Sequence, residues 1–203
     1  MKKKLMTVLA LVLVIAMSVA GTYAYLTSQA EVKNTFTVGK VAITLDEAKV
    51  NEYGVADNRV PRVTENSYKL MPGHEYSKDP VVHVAENSEA CYVFVKVVDD
   101  IAAIEVNDAT NETPNVATQI KDNGWTALEG VDGVNNVYYK SVSADVAKNG
   151  VDLKVFDGFK IIDTITNTAL DTYNGKTITV TAYAVQADGF ETPAAAWTAA
   201  KFA

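Results

Sequence analysis

The sequence predicts an all-β protein, a jelly-roll-like β-sandwich with an N-terminal signal helix and a short C-terminal helix. Short runs of β-branched and aromatic residues recur between turn residues along most of the 203-residue chain. In residues 90–98 and 177–185, the side chains divide into two sets at every second position, which is the two-residue period of a β-strand. Repeats at the roughly 20- to 50-residue spacing of solenoids are absent from the sequence. These observations favour a sandwich of roughly seven to nine short strands.

The N-terminus has the pattern of a secretory signal. Three lysines at positions 2–4 precede an apolar run of 16 residues that ends at Ala20. The small-residue rule for cleavage is met after Ala20 and after Ala24, and Ala24 is the preferred site, which gives a signal peptide of residues 1–24. The run is shorter than the about 20 residues that span a bilayer. An uncleaved anchor extending through Leu26 is the alternative, so membrane contact is expected only through the uncleaved signal.

The composition of the mature chain excludes some partners. Removal of residues 1–24 leaves 15 Lys and Arg against 25 Asp and Glu, a net charge of −10. An acidic surface without a basic stripe repels phosphate backbones, so no nucleic acid is expected as a partner. Cys91 is the single cysteine, so no internal disulfide is available and stability has to come from packing. Its apolar surroundings predict a buried side chain instead of a nucleophile.

The mature chain is predicted to divide at Gly39. The apolar side chains occupy even-numbered positions before the glycine, at Phe36 and Val38. After it they occupy odd-numbered positions, at Val41, Ile43 and Leu45. A glycine bulge or bend at this point turns a strand from one packing surface to another. We therefore separate a candidate donor strand, residues 25–38, from a β-sandwich domain, residues 39–203.

The longest predicted strand, residues 90–98, has apolar side chains on both faces, as expected of a central strand. One face carries Cys91, Val93, Val95 and Val97, and the other carries Tyr92, Phe94 and Val98. Residues 153–162 and 177–185 are predicted to form two further strands. Residues 125–128 and 137–140 flank a glycine-rich turn, which predicts a hairpin with Trp125 and Tyr139 as its aromatic residues.

Two other segments depart from the strand pattern. Residues 108–119 are rich in Asn, Thr and Asp and contain Pro114, which predicts a loop or a polar excursion around residues 105–123. The C-terminal residues 192–202 are rich in alanine around Trp197, with Pro193 at a favourable first-turn position. This pattern predicts a short C-terminal helix.

The sequence offers few residues for catalysis, and no catalytic residue is predicted. His74 and His83 are the only histidines, and they are nine residues apart with Pro80 between them. The helical zinc motif needs its second histidine four residues after the first, so that motif is excluded. A zinc site of His74, Glu75 and His83 on adjacent strands is a weak candidate, and surface histidines are the simpler interpretation. We predict no cofactor, with zinc, or calcium bound by turn carboxylates, as the alternatives.

Three separated segments resemble the TasA and camelysin (CalY) family of secreted Gram-positive proteins. In family order they read GTYAYLTSQAEVKNTFTVGKVAITLDE, MPGHEYSKDPVVHVAENSEACYVFVKV and VTAYAVQADGF. The resemblance implies cleavage at Ala24 by a signal peptidase of SipW type, a jelly-roll domain and assembly into fibres of the biofilm matrix. The short chain is more similar to the camelysin branch. The implied location is secreted, in the extracellular matrix or at the cell surface.

Strand donation is a mechanism that fits both the resemblance and the residues. The segment of residues 25–38 places four apolar side chains among polar ones, namely Leu26, Val32, Phe36 and Val38. Such a segment can complete a sheet edge of the next subunit by β-augmentation. Because the exchange is head-to-tail, it produces open filaments. The expected partner is a second copy of the chain, with a second matrix protein as an additional candidate. In the alternative, the strand pairs within its own domain.

Two other functions stay open at the level of sequence. Camelysin-like proteins have been classed as cell-surface metallopeptidases, but the chain has no zinc motif to which ligands can be assigned. A monomeric adhesin that binds through loops such as residues 108–119 is the third possibility.

Overall fold

The computed structural model describes Met6, residues 39–107 and residues 113–202. The chain divides into two compact units, residues 1–37 and residues 38–203, and the second unit is described below. The predicted signal peptide with Ala24 and the donor strand with Leu26, Val32, Phe36 and Val38 lie outside the described residues, apart from Met6.

The described residues form nine strands, which confirms the all-β prediction. In chain order they are β1 (Ile43–Asp46), β2 (Glu75–Ser77), β3 (Val81–Val84), β4 (Cys91–Asp99), β5 (Thr126–Ala127), β6 (Val137–Val142), β7 (Val151–Lys154), β8 (Gly158–Lys160) and β9 (Ile178–Gln186). They make three antiparallel sheets, with strand orders β1-β3-β7, β2-β8 and β5-β6-β4-β9.

The main core lies between the four-stranded sheet and the two smaller sheets. On β4, the predicted face of Cys91, Val93, Val95 and Val97 is buried and points into this core, and alternate residues of β9 pack against the same cluster. Val82 of β3, Leu153 of β7 and Phe159 of β8 close the cluster from the other side. Each buried Val, Leu or Phe side chain among them contributes about 1.5 to 3 kcal/mol of burial free energy. Strand parity read from the sequence therefore groups the core residues of β4 correctly.

A C-terminal helix is present, as predicted, and it covers the outer face of the four-stranded sheet. This helix spans Pro193–Ala200, has Thr192 as its N-cap and places Trp197 5.1 Å from Phe94, measured between ring centroids. The predicted burial of Val98 is wrong, because its side chain is 43% exposed. Val98 pairs with Thr179, four residues along β4 from the Phe94 position, and the aromatic cluster under the helix is centred on Phe94.

The predicted hairpin is present, because β5 and β6 pair with Thr126 opposite Tyr139. Its two aromatic residues lie in different clusters. Trp125 belongs to the main core, and Tyr139 packs against the cluster under the C-terminal helix.

The strand predicted over residues 153–162 is wrong in its extent. Two short strands, β7 and β8, occupy this region and belong to different sheets. Val155 and Phe156 are both fully buried, which an extended strand with one inner face does not allow for neighbours. A Cβ at Gly158 would lie 2.3 Å from the Tyr76 carbonyl oxygen, so the close pairing of β2 and β8 requires glycine there.

The loop prediction is wrong for residues 116–119. A helix spans Val116–Asp122, and Asn115 caps it by accepting a hydrogen bond from the Thr118 N–H. Val116, Gln119 and Ile120 are buried. The prediction failed because polar residues normally indicate a loop. Here Asn115 caps the helix and Gln119 is a buried hydrogen-bonding group. In chain order we call this helix α1, and the others α2 (Ala144–Ala147), α3 (Asn167–Leu170) and α4 (Pro193–Ala200).

Candidate functional site

A groove of about 1040 Å³ opens beside β1 and β9. Each of these strands is the outermost in its sheet, so among the described strands neither has a partner on its far side. Part of the groove lining is apolar, and we call this part its floor: it includes Leu45, Tyr68, Leu70, Ile101, Phe159, Leu170, Tyr173, Ile178 and Val180. An unpaired strand edge beside an apolar groove can accept an additional extended segment.

The groove and the point where residue 39 enters the domain lie toward opposite ends of β1. Near the start of β1, the Lys40 and Ala42 carbonyls accept hydrogen bonds from the Glu89 and Ala85 N–H groups, at 3.0 and 2.9 Å. The groove is lined instead by Leu45, Asp46 and residues that follow β1. Residue 39 therefore lies away from the end of the domain that forms the groove.

The wall of the groove is held by a nearly buried ion pair. Glu47 is 5% exposed, and its Oε2 lies 2.6 Å from Lys78 Nζ. Its Oε1 accepts a hydrogen bond of 2.9 Å from the Asn66 amide. Because both oxygens have donors, this carboxylate is satisfied without any ligand in the groove.

Tyr68 joins this wall to the apolar floor. Its hydroxyl donates to the Ser77 carbonyl oxygen at 3.1 Å, and its ring packs edge-on against Tyr76 and Phe159. Burial raises the pKa of Tyr68, and the nearby charge of Glu47 raises it further. Tyr68 therefore stays neutral and contributes an apolar face to the groove.

A charged cluster surrounds His83 at the centre of the three-stranded sheet. His83 Nδ1 lies 2.6 Å from an Asp152 oxygen on β7, and its Nε2 lies 3.0 Å from an Asp46 oxygen on β1. Arg62 binds the same Asp46 carboxylate and also Asp79, at 3.0 Å. Burial lowers the pKa of His83, but the hydrogen bonds and charges of Asp46 and Asp152 outweigh it, and the net shift is upward.

The structure does not bring the three weak zinc candidates together. His74 precedes β2, where its Nε2 lies 2.9 Å from the Tyr53 carbonyl oxygen, and His83 lies in a different sheet with both ring nitrogens bound to carboxylates. Glu75 is exposed and accepts a hydrogen bond from Thr113. In residues 39–107 and 113–202, no group of three or more His, Cys, Asp or Glu side chains is arranged to hold a metal ion. These residues therefore do not fit a zinc centre.

The groove could not be located from the sequence. Its lining comes from β1, the irregular segment after it, β8 and the approach to β9, which are far apart along the chain. One local signal for the groove existed, because Ile178 and Val180 lie on the same face of β9. The alternation of side chains does not show, however, whether a strand is central or at the edge of a sheet.

The family model described as camelysin metallo-endopeptidase matches residues 1–59. The predicted resemblance to the camelysin family is confirmed over these residues. The matched residues include Ile43, Leu45 and Asp46 of β1 and contain neither His74 nor His83, so the match assigns no metal ligand to this chain. Neither the comparison with curated proteins nor the comparison with solved structures found a match. In the part of the chain that the structure describes, the helices are too short or too polar to cross a bilayer.

Proposed function

We propose that this camelysin-family chain is a secreted structural subunit that assembles head-to-tail into fibres of the biofilm matrix or the cell surface. In this proposal, a signal peptidase of SipW type frees the N-terminus at Ala24. Residues 25–38 of one subunit then lie in the groove of the next subunit and pair with β9 along the groove. The domain itself is the jelly-roll-like sandwich that the resemblance implies.

The observation that carries the proposal is a groove, lined in part by apolar side chains, beside the nine-residue strand β9, which is the outermost described strand of its sheet. A donor of 14 residues reaches about 46 Å when extended, whereas β9 is about 30 Å long. The donor is therefore long enough to cover this edge. The position of residue 39, away from the groove end of β1, favours exchange between neighbours in a row.

The energetics allow assembly but require backbone pairing as well as side-chain burial. Four apolar donor side chains give a gross burial term of about 6 to 12 kcal/mol. Association and ordering cost roughly 4 to 15 kcal/mol. Hydrogen bonds along the β9 edge, each about 0.5 to 1.5 kcal/mol net, add the stabilisation that the side chains alone do not guarantee.

The test compares chains that contain or lack the donor. We expect a chain of residues 25–203 to form filaments in electron micrographs, and a chain of residues 39–203 to remain monomeric and folded. A synthetic peptide of residues 25–38 is expected to bind the shorter chain with one-to-one stoichiometry and to stop filament growth when added to the longer chain. Filaments from the shorter chain, or a longer chain that stays monomeric at all concentrations, would overturn the proposal.

Matched variants identify both sides of the contact. Val180→Lys places a charge in the groove and is expected to abolish peptide binding, while Val98→Lys places the same charge at an exposed site on the outer face of the same sheet. Phe36→Asp in the peptide is expected to abolish binding as well. Equal binding by the Val180→Lys and Val98→Lys variants would show that the donor binds elsewhere.

A further inference from the structure

Three side chains from separate segments of the chain meet at the wall of the groove, namely Glu47, Asn66 and Lys78. The side chains of Glu47 and Lys78 are 7% and 11% exposed. One oxygen of Glu47, Oε2, lies 2.6 Å from Lys78 Nζ, and the other, Oε1, accepts a hydrogen bond of 2.9 Å from Asn66 Nδ2. A single buried carboxylate therefore connects an amine and a carboxamide.

The contacts of Asn66 define both ends of its amide group. Its Nδ2 donates to the Ala48 carbonyl oxygen at 2.8 Å as well as to Glu47, and its Oδ1 accepts a hydrogen bond of 3.0 Å from the Val50 N–H. Exchanging the oxygen and the nitrogen would set donor against donor and acceptor against acceptor. The amide nitrogen therefore faces the carboxylate, and the amide oxygen faces a backbone N–H.

The backbone holds these three residues from different sides. Glu47 pairs with Val63 through two hydrogen bonds of 2.8 Å, and the Lys78 N–H donates to the Asp157 carbonyl oxygen at 3.1 Å. Asn66 lies within residues 64–74, which contain neither a helix nor a strand. Its side chain attaches this irregular segment to the residues that follow β1.

The amine of Lys78 is incompletely satisfied by its ion pair. In the part of the chain that the structure describes, Nζ has one hydrogen-bond acceptor, Glu47 Oε2, although an ammonium group has three hydrogens to donate. A buried ion pair is well stabilised only when its remaining hydrogens also find acceptors. Transfer of one proton from Lys78 to Glu47 removes both buried charges and leaves a neutral amine, which is a nucleophile.

We propose that Lys78 and Asn66 join in an isopeptide bond, an amide between their two side chains, with Glu47 as the catalytic acid and base. The modification takes place within one domain and does not depend on fibre formation.

The reaction exchanges one amide for another, so it needs no oxidant or reductant. After Lys78 has given one proton to Glu47, the Nζ lone pair forms a bond to Asn66 Cγ, once the two atoms approach to about 3 to 3.5 Å. The bond between Cγ and Nδ2 breaks as Glu47 passes that proton to Nδ2 and takes a second proton from Nζ. Nδ2 leaves as ammonia and carries the second proton away as ammonium, so Glu47 is again a carboxylate. Lys78 keeps its third hydrogen as the N–H of the new amide.

The existing contacts suit each step of this reaction. Glu47 contacts both the attacking amine and the departing nitrogen, so it can carry protons between them. Negative charge develops on Asn66 Oδ1 in the tetrahedral intermediate, and the Val50 N–H already donates to this atom. The groups needed for attack, proton transfer and charge stabilisation therefore surround one amide.

The bond changes how the groove wall is held. It closes a ring that contains residues 66–78, including β2, and fastens the irregular segment covalently. Closing a loop reduces the conformational freedom of the unfolded chain. The chain thereby gains an internal covalent link that its single cysteine cannot provide.

Intact mass spectrometry of the denatured chain of residues 25–203 measures the modification. Loss of ammonia is expected to make the native chain lighter than its sequence by about 17 Da. Glu47→Gln, which cannot take up a proton, and Lys78→Arg, which has no nucleophilic amine, are expected to have the full masses of their sequences. Glu129→Gln and Lys49→Arg make the same changes at exposed positions and are expected to show the native loss.

Protease digestion of the native chain locates the bond without any variant. Tandem mass spectrometry is expected to identify a branched peptide in which Lys78 is joined to Asn66. Three Asn-Gly pairs, at residues 123–124, 149–150 and 174–175, require a control, because cyclisation of such a pair to a succinimide also releases ammonia. A succinimide takes up water at mildly alkaline pH and its mass rises again, whereas the isopeptide bond persists.

The mass measurements also define the results that contradict the proposal. A native chain with the full mass of its sequence overturns it. So does a loss of ammonia that maps to an Asn-Gly pair, or one that the Glu47→Gln variant shows to the same extent as the native chain.

Discussion

At the scale of single residues, His83 shows how an exposed sheet surface becomes sensitive to pH. The imidazole bridges carboxylates on the two strands that flank β3, Asp46 on β1 and Asp152 on β7. Burial raises the pKa of Asp46, but its hydrogen bonds to Arg62 and His83 outweigh that effect, and the net shift is downward. Both partners of the His83–Asp46 pair therefore favour the charged form.

We predict that His83 stabilises the domain at acidic pH and that this contribution is lost as the pH rises. The folded-state pKa lies above the ordinary 6.5, so the stabilisation is fully present below about pH 6.5 and disappears as the pH passes through the raised value. His83→Gln is expected to lower the free energy of unfolding by about 1 kcal/mol at acidic pH, and less at alkaline pH. Urea unfolding at a series of pH values measures the difference.

His74→Gln is the matched control for this prediction. The His74 ring contacts the Tyr53 carbonyl oxygen and the Tyr76 ring instead of carboxylates. Any pH dependence that both variants share does not come from the His83 pairs. A difference between the native chain and His83→Gln that stays constant across the whole pH range contradicts the prediction.

At the scale of elements, helix α4 gives the four-stranded sheet its second buried face. Trp197 is 3% exposed and packs against the rings of Phe94, Tyr183 and Phe202, with centroid distances of 5.1, 5.3 and 5.2 Å. This cluster is separate from the main core on the other side of the sheet. Without the helix, the aromatic residues on this face of β4 and β9 would lose their cover.

We predict that Trp197→Ala lowers the free energy of unfolding by about 3 to 5 kcal/mol, because it leaves a large cavity between α4 and the sheet. Thr198→Ala, at the exposed neighbouring position, is expected to change it by less than about 0.5 kcal/mol. Urea denaturation measures both values. Equal effects of the two substitutions would show that α4 does not stabilise the sheet through Trp197.

The same elements show what sequence patterns can and cannot predict. The strands β4 and β9, the grouping of their side chains into two faces, and helix α4 were predicted correctly, because parity and Pro193 are local signals. The buried roles of Glu105 and Gln119 were missed, since polar residues normally indicate exposure. The break between β7 and β8 depends on the close approach of Gly158 to Tyr76, which is a tertiary contact. The groove was not predictable for the same reason.

At the scale of the whole molecule, charge and the proposed strand exchange act in opposite directions. The proposed cleavage after Ala24 would leave each subunit with 15 basic and 25 acidic residues, a net charge of −10. The donor segment of residues 25–38 carries one acidic and one basic side chain, Glu31 and Lys33, so its side-chain charges sum to zero. Repulsion therefore acts between the bodies of two subunits, whereas docking of the donor depends on apolar burial.

Because charge repulsion opposes the approach of two subunits while apolar burial holds the donor, we predict that salt accelerates fibre growth. Between about 0.01 M and 0.15 M salt the screening length falls from about 30 Å to about 8 Å, which weakens repulsion between like-charged subunits. Burial of Leu26, Val32, Phe36 and Val38 is not weakened by this screening, so we expect growth rates measured by light scattering to rise across the range. Phe36→Asp tests the contribution of the donor, since screening alone is not expected to restore its assembly. A growth rate that falls with salt would mean that attraction between opposite charges drives the contact, and the donor interface would then be electrostatic.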